Sequence, residues 1–167
     1  MEITAKLEAR GYAADKIRAG ISRILSSNTI LAMASTNEGK SHISTAFFCF
    51  DELLHIFVLN DLNAQHTANI AKEPHVALAI YDSRQRIDGL REGLQVFGRC
   101  VKAEGDLENK GIELYFARFP SFKPWLESHG KSAEAAKQML YVVEPETLKL
   151  YDEPDFGHVF IPVAVIG

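Results

Sequence analysis

Apolar residues recur along this chain in two rhythms. From Ala14 to Leu25 they fall at Ile17, Ile21, Ile24 and Leu25, with Lys16, Arg18 and Arg23 between them, the spacing of a helix whose stripe must dock on a larger body. Ser26, Ser27 and Asn28 stop that helix. Thr29 to Thr36 reads TILAMAST, rich in small apolar and β-branched residues, and predicts a strand. Asn37-Glu38-Gly39-Lys40 has turn chemistry, because Gly39 tolerates positive φ, so His42 to Phe50 should return antiparallel as the second arm of a hairpin. Asp51-Glu52 turns the chain again.

Leu53 to Asp82 then reads strand, turn, helix, strand: LLHIFVLN, DLN, AQHTANIAKEP, HVALAIYD. The turn presents Asn63, Ala64, Gln65 and His66 at a helix start, where backbone N–H groups lack intrahelical partners and the dipole end is positive. An anion such as a phosphate suits that corner. A plain connecting helix capped by Asn63 fits the same residues. Ser83 to Leu90 is polar and aperiodic, and Gly93 to Ala103 alternates as a long strand. A helix from Gly105 closes before Phe119-Pro120, residues 119–131 (with SFKPWLESHGKS) read as loop, and a short helix spans Ala133 to Gln138. Leu140 to Glu144 and Thr147 to Tyr151 are two strand-like runs broken by Pro145, and Val159 to Ile166 is a closing strand.

Six or seven strands joined mostly by tight turns, with one helix before them and two or three inserted, predict a mainly β fold with flanking helices. An open sheet of this length would expose rows of unpaired backbone groups, so a mixed antiparallel barrel, pairing with a second copy, or both, is favoured. The 167 residues fit one domain spanning residues 1–167, and the 47% hydrophobic and 24% charged content is ordinary globular composition.

Charge narrows the partners. A net charge of −4 argues against nucleic acid and anionic lipid, and favours a small-molecule ligand. Cys49 and Cys100 sit inside strand-like runs and read as buried free thiols. The N-terminus lacks a signal-peptide pattern and the longest apolar run is too short to span a bilayer, so a cytoplasmic location without membrane contact is expected. His42, His55, His75, His129 and His158 show no metal spacing, and no metal site is expected. Neither a Ser–His–Asp signature, a P-loop nor Gly-x-Gly-x-x-Gly is present. Phe47, Phe48, Phe50 and Phe97 read as core residues. Trp125, the single tryptophan, would anchor its loop or lid a ligand.

The order of these pieces resembles the pyridoxamine 5'-phosphate oxidase-like split-barrel family. The resemblance is carried by HISTAFFCFD, FVLNDLNAQHTANIAKEPHVALAIYD, GLQVFGRCVKAEG and YFARFP, and by the Tyr141 to Gly157 segment, which fits a small bacterial branch. It implies a split β-barrel of the FMN-binding type and a homodimer with FMN at the subunit interface. The expected activity is that of an FMN-dependent oxidoreductase, with no catalytic residue assigned. On this resemblance Ile43, Ser44 and Thr45 pass along the isoalloxazine ring, Leu59 and Asn60 lie under it, and Asn63, Gln65 and His66 meet the phosphate. Gln95 would reach a ribityl or phosphate oxygen, although an exposed strand glutamine reads equally well.

Where the family carries a Ser-Arg-Lys-like trio, this chain has Ala64-Gln65-His66. Losing the guanidinium replaces a charge-assisted hydrogen bond with a neutral one, a loss of roughly ten-fold in affinity. FMN is therefore expected to be weakly held, with a protonated His66 and Lys40, Arg84 or Arg91 as compensating cations. The alternative is a non-catalytic ligand-binding or sensing protein on the same fold, with haem or a deazaflavin as the other ligands.

Overall fold

The hairpin turn forms as its sequence demands: Glu38 and Gly39 take φ of 51° and 75°, and Asn37 pairs with Lys40. In the computed structural model, which describes residues 1–166, that hairpin joins β2 (Ile30–Asn37) to β3 (Lys40–Phe50). Before it lie β1 (Lys6–Glu8) and α1 (Ala14–Ser27); after it come β4 (Ile56–Leu59), α2 (Gln65–Lys72), β5 (His75–Ile80) and β6 (Glu92–Lys102). Then follow α3 (Gly105–Arg118), α4 (Phe122–Ser128), α5 (Ala133–Gln138), β7 (Leu140–Asp152), α6 (Glu153–Phe156) and β8 (Phe160–Ile166).

Six strands close into a split barrel in the order β7, β4, β3, β2, β5, β6, with β6 pairing back onto β7. β8 and then β1 continue the sheet from β7. Every pairing among the described residues is antiparallel, and the mainly β split barrel with flanking helices expected from the sequence is the fold found. The strand total among the described residues is eight, one more than expected, because β1 has only three residues and too little pattern to be read.

The two runs expected around Pro145 are one 13-residue strand. Its first half pairs with β4 and its second with β8, while β6 flanks both. The ladder shifts register at Phe97/Gly98, and Gly98 faces Pro145. A Cβ on Gly98 would lie 2.1 Å from the Glu144 carbonyl oxygen, so glycine lets the strands close over the proline. The expected loop at 119–131 contains α4; Pro124 is its third residue, where a missing N–H breaks no intrahelical bond. β4 starts at Ile56 rather than Leu53, because residues 51–55 wrap around the Asp51 carboxylate.

The barrel interior is apolar, filled by residues such as Leu31, Met33, Phe48, Val96 and Leu150, with the α1 stripe packed against it. A second cluster under α3 and α5 contains Phe57, Ile112, Tyr115 and Leu140. Gly111 lets α3 approach, since a Cβ there would meet the Phe57 ring at 2.5 Å. Both cysteines are buried and free, and burial pushes each thiol up to about 12. Phe48 and Phe50 are core residues, whereas Phe47 is 53% exposed.

Asp51 has no exposed surface. Its Oδ1 accepts from the Leu53 and His55 amides, and its Oδ2 meets His55 Nδ1 and the Lys110 ammonium, each of these four at 2.9 Å. Burial alone would raise this carboxyl, but the hydrogen bonds and charges of His55 and Lys110 outweigh it and hold the group at about 2, below 3.8. A carboxyl depressed on folding stabilises above its unfolded value and loses that contribution as pH falls through the folded one. Asp51→Asn should therefore destabilise the protein by about 2 kcal/mol at neutral pH. In urea unfolding, the gap between variant and wild type should narrow as pH is lowered from 3.8 towards 2.

Candidate functional site

The corner before α2 is organised by Asp61. Its Oδ1 accepts from the Asn63 amide at 2.9 Å, and its carbonyl accepts from the Ala64 amide at 3.0 Å and the Thr67 hydroxyl at 2.7 Å. Ala64, not Asn63, is the N-cap, and it contributes no side-chain cap. The expected cap is thus displaced by one residue, because Asp61 has captured the Asn63 amide. The amides of Gln65, His66 and Thr67 open the helix without a protein acceptor among the described residues.

The side chains at this corner are less free than the backbone. Gln65 Nε2 donates to Asn69 Oδ1 at 2.7 Å, and Asn69 Nδ2 donates to Ser35 Oγ at 3.2 Å. Asn69 and Ser35 are each 1% exposed, so this chain runs from the helix surface into the barrel. Neither was singled out from sequence; the visible signal was only that Asn69 lies four residues after Gln65, one turn further along α2. His66 stacks on His42 of β3, with centroids 6.4 Å apart and 22° between the rings. Burial, then the neighbouring His42, lower the His66 pKa against a weaker pull from Asp61. The protonated His66 expected as a compensating cation is therefore disfavoured. Arg84 is paired with Asp82 and Arg91 with Glu153, so these cations are engaged away from the corner.

Along β3 the side chains alternate. Ser44 faces its partner Met33 on the barrel side, whereas Ile43 and Thr45 pair with Ala34 and Ala32 on the outer face. β4 pairs only with Phe48 to Phe50, so residues 40–47 have one open edge. Phe48 N–H donates to Thr29 O on the β2 side, and antiparallel alternation turns the amides of Ile43, Thr45 and Phe47 to that edge. Leu59 ends β4. Asn60 follows it, 1% exposed, with neither side-chain polar atom hydrogen-bonded among the described residues.

Gln95 belongs to a different part of the same chain. Thr45, Ala32, Ala79 and Gln95 form one row across β3, β2, β5 and β6, which places Gln95 three strand spacings, roughly 14 Å, from Thr45. It lines outer-face cavities of about 630 and 430 Å³ beside Phe160. Ala32, Ala34, Ala77 and Ala79 make the wall between into a flat floor of methyl groups. Trp125 is held on α4 between Phe122 and His129. Among the described residues, no group of three or more His, Cys, Asp or Glu is placed to hold a metal ion, and no helix is long and apolar enough to cross a membrane.

The sequence profile of pyridoxamine 5'-phosphate oxidase matches residues 16–152, most of the barrel from α1 to the end of β7. The chain belongs to the pyridoxamine 5'-phosphate oxidase family. Several solved structures share this family fold. A haem-binding protein from Mycobacterium smegmatis superposes with a TM-score of 0.68 at 15% identity, covering 87% of this chain but 57% of that one. HutZ, the haem storage protein of Vibrio cholerae, gives 0.61 at 20% identity over 79% of this chain and 91% of its own. An FAD-binding protein from Mesorhizobium loti gives 0.58 at 12% identity, with 87% and 96% covered. No curated protein matches the chain. In this member of the pyridoxamine 5'-phosphate oxidase family, the Ser35–Asn69–Gln65 chain, buried at Ser35 and Asn69, ties the helix corner to the barrel. Asn69→Ala leaves the Ser35 hydroxyl buried without its partner, and should cost about 2 kcal/mol. Calorimetry should show Tm lower by roughly 4–8 °C.

Proposed function

We propose that this protein binds FMN between two copies of the chain and acts as an oxidoreductase. The observation that carries the reading is the juxtaposition of two sets of free backbone donors: the opening amides of α2 and the open edge of β3, joined through the His66–His42 contact. The first set suits a phosphate, and the second suits the polar edge of a flat heteroaromatic ring. Asn60 adds a buried amide lacking a partner, an arrangement that costs about 1–3 kcal/mol unless something satisfies it. Bound flavin would supply hydride acceptance at its ring; the chain's residues would position it and exclude water.

A second copy is the natural cover for the outer face. Ile30, Ile43, Phe47 and Tyr81 are each at least 49% exposed around the alanine floor, and such clustered apolar surface marks an interface. A partner pressed there would bring its own Gln95 and outer-face cavities to the ligand's far side, which gives Gln95 a role that one chain cannot.

Reconstitution should give one FMN per chain and a dimer by light scattering, with affinity weakened by the missing guanidinium. Gln65→Arg should tighten FMN roughly ten-fold. A protein that stays colourless after incubation with FMN, in both forms, defeats the reading. The second reading is a non-catalytic binder of haem or another flat ligand. It is favoured by the Gln65 side chain being tied to Asn69 and by an uncharged His66, which leave the phosphate corner without a fixed cation.

A further inference from the structure

β7 has a gap along one side. Its ladder with β4 ends at the Ile56–Val143 pair and its ladder with β8 begins at Thr147–Ala164, so residues 144–146 have no strand beside them there. The gap opens a cavity of about 440 Å³, lined among others by Thr4, Lys6, Leu53, His55, Glu144 and Ile166. It shares no residue with the candidate flavin positions and lies at the opposite end of β4 from Leu59. One wall is pinned by the amides of Thr4 and Ala5, which both donate to the Glu52 carbonyl, at 2.8 and 3.1 Å.

His55 is the fixed element of this cavity. Its Nδ1 meets the fully buried Asp51 carboxylate at 2.9 Å and its ring meets Phe57 edge-on at 6.4 Å, so the imidazole is held from two sides. Nδ1 is the donor to that carboxylate. The side chain is 23% exposed and Nε2 has no hydrogen-bond partner among the described residues, so the accessible edge of the ring is the one turned from Asp51, which carries Nε2. The hydrogen bond and charge of Asp51 raise the His55 pKa against burial, Glu144 adds to the rise and Lys110 opposes it, which favours an imidazolium with Nε2–H as donor.

Lys6 and Glu144 complete the polar lining. Both are exposed, and neither forms an ion pair or a side-chain hydrogen bond among the described residues. The cavity therefore offers two donors and an acceptor that do not satisfy one another, over an apolar bed of Leu53, Pro145, Val165 and Ile166. Leu53 and Ile166 are 46% and 45% exposed, apolar surface that a ligand would cover. Few convergent polar groups over apolar walls are the usual form of a small-molecule site, and the volume is within the range for such sites, roughly 300–1,000 Å³.

We infer that this cavity binds a free aliphatic α-amino acid, its carboxylate accepting from His55 Nε2 and the Lys6 ammonium, its ammonium donating to Glu144, and its side chain on the apolar bed. An anion alone would lie beside an unpaired Glu144, and a cation alone would face two donors; a zwitterion meets both signs at once. The site needs no flavin, and so goes beyond the function proposed above.

The probe is L-leucine, titrated by calorimetry beside N-acetyl-L-leucine, which lacks the ammonium, and L-leucinamide, which lacks the carboxylate. Leucine should bind saturably, one per chain, and each analogue roughly ten-fold more weakly. Glu144→Gln should weaken leucine by a similar factor and spare N-acetyl-leucine, while Lys6→Met should weaken leucine and spare leucinamide. Both residues are exposed and outside the Asp51 network, so these variants keep the test decisive if a His55 variant fails to fold. Leucine affinity should also fall as pH is raised through the His55 pKa, above 6.5, because Nε2 then loses its proton.

Absence of saturable leucine binding overturns the inference, as does an analogue that binds as tightly as leucine, or leucine affinity unchanged in either variant. The titration is repeated with FMN. Leucine binding to protein that refuses FMN supports this site and defeats only the flavin reading; FMN binding without any leucine response does the reverse. Displacement of leucine by FMN overturns the inference, since the cavity then belongs to the flavin.

Discussion

Barrel closure rests on a single shared strand. β7 serves β4 with its first half and β8 with its second, while β6 runs beside both halves and shifts register once, between Phe97 and Gly98. The weak point of that arrangement is Pro145, which has no amide to donate to a ladder. Gly98 resolves it by giving up its side chain, so the backbones close to a separation no other residue allows. The positions of β3, β2 and β5 around the ring follow from that closure, as does the placement of α2 across the β2–β3 end.

The chemistry at the α2 corner is a matter of backbone more than side chains. Asp61 spends its oxygens on the amides of Asn63 and Ala64 and on Thr67, which fixes where the helix starts and leaves the next three amides facing outward. Gln65 looks inward to Asn69, and His66 is held against another imidazole in a partly buried place where charge is disfavoured. A site built from peptide dipoles attracts anions without a fixed cation, and its pull is correspondingly moderate.

Strongly periodic elements were legible in the sequence. The α1 stripe, the TILAMAST hairpin arm and the limits of α3 and α5 all appear where the apolar spacing put them, because local pattern and tertiary burial agree there. Reading failed where Pro145 was taken as a break, because it is absorbed opposite a glycine, and where residues 119–131 were read as loop, because α4 forms there with Pro124 in a first helical turn that needs no donor. The candidate site was legible as a set of segments but not as a geometry. Strand alternation separates Ser44 from Ile43 and Thr45, and the ladder carries Gln95 three strands away. The Ser35–Asn69 contact joins residues 34 positions apart and leaves no local trace.

The alanine floor on the outer wall has a consequence for what can lie against it. Four methyl groups in register present little relief, so a flat surface meets them with nearly the same contact area in many orientations. The specificity of such a contact is then left to its perimeter, to the polar atoms at the helix corner and the strand margin. Proteins that share this architecture do so at 12%, 15% and 20% identity, so the strands tolerate wide change in sequence without losing the fold.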